Sequence, residues 1–194
     1  MIAVRPKSSK LITLLFSFCV CAAAQATVTF EDLLDESALD FSNPASLNEV
    51  EPQMNEVLPY ERAHQLSGGD LEIRYAIRPI SRVQIEYEDP HNAAPDPNHI
   101  FPLLFQTLVA DLAANRNSPT QEYSLEQAQE EFNADWAAAA TFDVVDNFSH
   151  QYRQALMIAM HKNHKADAYI IFLFDDYPSV KSEIKQNMRN LRFK

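Results

Sequence analysis

The sequence predicts an α+β fold: one five-stranded, mainly antiparallel sheet with helices packed on it. Three observations lead there. Apolar residues alternate in LEIRYAIR (71–78) and RVQIEYE (82–88), the period of half-buried strands. RQALMIAMH and DAYIIFLFD are joined by the short polar stretch KNHKA, which reads as a hairpin. The apolar run from Ala168 to Phe174 has no polar face, as expected of a central strand covered on both sides.

Taken in order, the first strand begins at Leu71, with Leu71, Ile73, Tyr75 and Ile77 on one face. The second carries Val83, Ile85 and Tyr87. DPHNAAPDPN holds three prolines and is a loop. HIFPLLFQTLVADLAAN predicts a buried helix with Asn98 as N-cap, Pro102 in its first turn and Leu104, Leu108 and Leu112 as its stripe. Ser124-Leu125-Glu126-Gln127 is a capping box that opens a shorter helix. WAAAATFDVV admits both helix and strand. Trp136, Ala138, Ala140, Phe142 and Val144 share one face at period two, and TFDVV favours the strand. The hairpin follows, and a last helix runs from Ser179 to Asn190 on Val180, Ile184 and Met188. This order, ββααβββα, resembles profilin-, longin- and PAS-type folds, and more distantly secretion chaperones. The resemblance lies in element order alone, with no shared residue motif.

Upstream of this single α+β domain (70–194) the chain predicts two further segments. Residues 1–26, MIAVRPKSSKLITLLFSFCVCAAAQA, combine a basic leader, an apolar run and the cleavage pattern Ala24-Gln25-Ala26, which together read as a secretory signal peptide. The run from Leu11 to Ala24 is shorter than the roughly 20 residues that span a bilayer. A lipid on Cys19 or Cys21 is disfavoured by the bulky Phe18 and Val20 before them. Both cysteines lie in this segment, so the mature chain is cysteine-free and its stability must come from an ordinary core. Residues 27–69 place nine acids before the first basic residue, Arg62, and end at Gly68-Gly69, the only glycines. They predict a partly disordered acidic arm with one short amphipathic helix in FEDLLDESALDF.

Charge is uneven. Residues 27–150 carry 5 basic and 23 acidic side chains, whereas residues 151–194 carry 8 basic and 4 acidic ones. Such an acidic body argues against nucleic acid as a partner. With two glycines, a phosphate-binding glycine loop or a nucleophile elbow is implausible.

Several residues are candidates for function. His161 and His164 sit three apart, with Asp167 as a possible third donor, but Lys162 and Lys165 would repel a cation. Placed at a hairpin tip, the two rings are expected to be solvated and need not converge. Asp175-Asp176 at the strand end could act as a base, or simply cap the last helix. Trp136, the single tryptophan, could line a pocket or anchor the core. Lys181, Lys185, Arg189 and Arg192 form a basic stripe that could meet anionic lipid, an acidic partner, or the acidic arm itself. His91, His99 and His150 are scattered.

The sequence therefore points to an exported, periplasmic or secreted, non-enzymatic binding domain with no cofactor. Its binding candidates are Trp136, His161, His164, Lys185 and Arg189. The expected partner is a protein or small ligand of the cell envelope or outside the cell, with no transmembrane segment after signal cleavage. The alternative is a small exported hydrolase using His and Asp groups, with or without the help of a metal. A meeting of His161 or His164 with Asp167 or Asp175 in one concave pocket would favour that alternative.

Overall fold

A computed structural model describes residues 28–83, 96–116 and 118–194 of the chain. The predicted signal peptide (1–26), most of the second predicted strand and His91 lie outside the described residues.

The predicted hairpin is the centre of the molecule. β7 (Gln154–Lys162) and β8 (Ala166–Phe174) pair antiparallel along their whole length, and every residue of β8 is buried. Side chains of β8 alternate into two cores. Ala168, Ile170, Phe172 and Phe174 enter one, and Tyr169, Ile171 and Leu173 the other. Burial on both faces explains why this run lacks the polar alternation of a surface strand.

Around this hairpin the sheet is larger than the predicted five strands. Seven antiparallel strands stand in the order β2-β3-β4-β8-β7-β6-β5, and a separate two-stranded sheet pairs β1 with β9. The ranges are β1 (Leu39–Phe41), β2 (Leu47–Val50), β3 (Arg62–Leu66), β4 (Leu71–Pro79), β5 (Thr120–Glu122), β6 (Trp136–Asp143) and β9 (Leu191–Phe193). The described residues also form four α-helices: α1 (Phe30–Glu36), α2 (Pro97–Leu112), α3 (Leu125–Phe132) and α4 (Tyr177–Asn187). WAAAATFD is strand, as its period-two face indicated.

Much of the expected acidic arm is instead folded into the body. α1 is closed by a reciprocal cap between Thr29 and Asp32 and buries Phe30 and Leu33. β2 and β3 extend the main sheet beyond β4, and β1 pairs with the C-terminal β9. The acids find cations remote in sequence: Glu31 and Glu49 meet Arg62, Glu36 meets Arg82, and Asp35 and Asp40 meet Lys194. The expected arm–helix contact is thus made mainly to β9, just beyond α4.

One face of the sheet is covered by α1, α3, α4 and the β1–β9 pair. The other is covered by α2, but only in part. Phe101 of α2 reaches Trp136 on β6, His161 on β7 and Tyr169 on β8. α2 differs from expectation in two ways. Asp96, not Asn98, is its N-cap, with its carboxylate accepting from the Asn98 N–H. Its buried stripe is Phe101, Phe105, Val109 and Leu112, while Leu104 is 44% exposed. The first half of the helix is apolar nearly all round, so its sequence left open which face turns inward: Phe101 and Phe105 pack on the sheet, while Leu103 and Leu104 are exposed. α4 buries Val180 and Ile184 as expected, with Met188 partly buried beyond its end.

Candidate functional site

Among the described residues, two clefts on the α2 face adjoin a buried pair of ionisable side chains. The first lies at the β7–β8 turn. Trp136 of β6 stands opposite His161 of β7, so both side chains leave the same face. Phe101 stacks on the His161 ring at 5.2 Å and meets Trp136 edge-on at 5.0 Å. With Asn98, Asp135 and Asn163 these three line a cleft of about 350 Å³.

His161 is not solvated, contrary to the hairpin-tip expectation. It is 2% exposed. Its Nδ1 lies 2.6 Å from Asp167 Oδ1, directly across the β7–β8 ladder, and its Nε2 lies 3.2 Å from Asn163 Oδ1. Burial pushes the Asp167 carboxyl above its usual range, with the hydrogen bond and charge of His161 opposing the rise. Burial likewise raises the Tyr169 phenol beside it. The meeting of His161 with Asp167 is the geometry that a hydrolase would require. Asp167 takes Nδ1, however, and Nε2 is within hydrogen-bond reach of Asn163, which would have to move before Nε2 could take a proton from a substrate.

His164 is exposed in the turn at φ 60°. Its N–H donates to Asn98 Oδ1 at 2.7 Å, tying the turn to the start of α2. Among the described residues no three His, Asp or Glu side chains gather to hold a metal ion.

The other candidates lie elsewhere. Lys185 is exposed on α4. Arg189, just past the helix, is gripped through Nε and Nη2 by Glu131 of α3. Arg192 is in β9 opposite Asp40. The basic stripe is therefore divided between a helix, a turn and a strand. Asp175 accepts from the Arg153 N–H at 2.9 Å, and Asp176 occupies the N-cap position of α4 without a side-chain capping bond. The expected carboxylate cap is thus absent, because the ladder end draws Asp175 towards β7 instead.

The second cleft was not anticipated. It lies beyond the reach of α2, where β3 and β4 are covered by loops alone. Its volume is about 470 Å³, and its lining comes from the loop after β2, the loop after β6, and Gln65, Glu72 and Arg74 of the sheet. Glu72 and Arg74 are 8% and 6% exposed. Arg74 Nε donates to Glu72 Oε1 at 2.6 Å and Nη1 to the Phe148 carbonyl at 2.9 Å. The guanidinium also lies against the Tyr60 and Phe148 rings, at 4.7 and 5.0 Å. Arg74 Nη2 and Glu72 Oε2 have no hydrogen-bond partner among the described residues, and neither atom is sealed from solvent. Opposite charges two apart on a strand, Glu72 and Arg74, were the available sequence signal. They read as the polar face of an ordinary half-buried strand because nothing local says that this face is covered.

No family model matches the chain, and no curated protein matches it. Among solved structures it is similar to the solution structure of cyanobacterial PsbP (CyanoP) from Synechocystis sp. PCC 6803. The identity is 12%, the match covers 81% of this chain and 88% of that one, and the TM-score is 0.44. Among the described residues no helix is long and apolar enough to cross a membrane.

Proposed function

We propose that this chain is an exported binding domain without catalytic chemistry, and that the cleft around Arg74 is its ligand seat. One observation carries the reading. A guanidinium and a carboxylate, each under a tenth exposed, keep one nitrogen and one oxygen unpaired beside the cleft. Burying charge costs free energy unless its hydrogen bonds are made. A preorganised donor and acceptor held by two aromatic rings therefore supply a ligand with partners at little ordering cost. Export rests on the N-terminal sequence pattern.

The test is hydrogen exchange on residues 27–194, with and without the small-molecule fraction of an envelope extract. Protection is expected at 51–55 and 147–151 and is expected to vanish in Gln53→Ala/Asn147→Ala, two exposed lining positions. Protection confined to the Trp136 cleft, or none anywhere, would overturn the reading.

The hydrolase alternative has the 2.6 Å His161–Asp167 contact in its favour. It requires Asn163 to release Nε2. Any ester or amide hydrolysis by the purified chain that His161→Gln abolishes would decide for it.

A further inference from the structure

We infer that the Arg74 cleft is built for a neutral, hydroxyl-rich ligand, a short uncharged saccharide, rather than for an anion. The inference rests on the reading that this cleft is the ligand seat.

An arginine lining a cleft usually suggests a carboxylate or phosphate. Here the charge balance opposes that. Glu72 takes the Arg74 Nε at 2.6 Å, and Glu51 adds a second carboxylate to the lining. Among the described residues, Arg74 is the only lysine or arginine in the lining. An incoming anion would meet one cation already neutralised and a further negative charge beside it.

The remaining lining fits a different ligand. Gln53, Asn55, Gln65, Asn147 and Gln151 bring five carboxamides to one cleft. Each carboxamide both donates and accepts, as a sugar hydroxyl does. Three of them are partly used by the protein. Asn55 Oδ1 accepts from the N–H groups of Val57 and Leu58 while its Nδ2 donates to the Asn147 carbonyl, and Gln65 Nε2 and Gln151 Nε2 both donate to the Tyr152 hydroxyl. Gln53 and Asn147 are exposed, and no hydrogen bond occupies their side chains among the described residues. At the floor, Arg74 Nη2 offers a donor and Glu72 Oε2 an acceptor on neighbouring side chains, a match for adjacent hydroxyls that donate to one group and accept from the other. Met54 is 97% exposed at the rim, an apolar surface unused by the core and suited to the C–H face of a sugar ring. A volume of about 470 Å³ lies within the range of small-molecule sites.

The experiment is two-dimensional amide NMR on residues 27–194, titrated with chitobiose, maltose, inorganic phosphate, glucuronate and N-acetyl-trialanine amide. Chitobiose or maltose is expected to shift amides of 51–55 and 147–151. Gln53→Ala/Asn147→Ala is expected to weaken that binding at least about tenfold, the effect of one lost hydrogen bond at the upper end of its range. These exposed positions spare the Arg74–Glu72 pair, so failure of the variant to fold does not confuse the result. If phosphate or glucuronate shifts those amides and neither neutral sugar does, the saccharide class is wrong and the seat stands. The same holds if only the peptide does so, or if the extract protects these loops while every probe is silent. If neither the extract nor any probe acts there, class and seat fall together.

Discussion

Two buried pairs of ionisable side chains lie on the same face of one sheet, and they are finished differently. His161–Asp167 is closed, since the second ring nitrogen is taken by Asn163 and Phe101 stacks on the ring. Arg74–Glu72 is open, with one nitrogen and one oxygen left beside a cleft. Burial alone therefore does not distinguish a binding site from a structural pair. Hydrogen-bonding capacity left unused does. The pairs also differ in chemistry, because histidine can shed its proton and arginine cannot.

The largest effect should come from breaking the open pair. Glu72→Ala strands a permanent buried charge and should cost about 3 kcal/mol in urea denaturation, the lower end for such removals because the cleft admits water to Arg74. Asp167→Asn should cost less, about 1–2 kcal/mol, since the amide still reaches His161 and no permanent charge is stranded. Equal losses would erase the distinction between the pairs.

A third test uses pH. His64 is 3% exposed and its Nδ1 has no hydrogen-bond partner. Burial holds its pKa below the ordinary histidine value of about 6.5, with Glu49 opposing the shift and Arg62 adding to it. The folded state therefore binds this proton less readily than the unfolded chain. Stability from His64 is complete above about pH 6.5 and falls as pH drops through the folded value, by at most about 1.4 kcal/mol per pH unit. His64→Asn should remove that slope in thermal melts from pH 7 to 5. An unchanged slope would place the acid sensitivity elsewhere, with the two pairs as the next groups to test.

The smallest effect belongs to the surface. Arg189→Ala breaks an exposed contact with Glu131 and should leave the denaturation midpoint unmoved. A clear shift would show that a surface pair here rivals the buried ones.

The legible parts of the fold were those whose signal is local. The Ser124–Gln127 box, the period-two face of Trp136 to Phe142, and the doubly apolar run at 168–174 each sit within about ten residues, and each forms the expected element. The strands at 39–41, 47–50, 62–66 and 191–193 were not legible. They have three to five residues each, too few for a period to emerge, and two of them meet across the length of the chain. Of the candidate residues, sequence could single out Trp136 and His161 as unusual types, but only the cross-strand register brings them together.

By itself, then, the sequence determined the absence of cysteine from residues 27–194, an uneven charge distribution, an α+β composition and the identity of the central hairpin. These follow from residue type and short-range period. Tertiary structure decided where the acidic N-terminal region goes, because its countercharges at Arg62, Arg82 and Lys194 lie far along the chain from several of its acids. It also decided which buried charges are complete and which remain open. Hydrogen-bond saturation depends on neighbours such as Asn163, Phe148 and Glu72 in three dimensions, and no linear pattern records it.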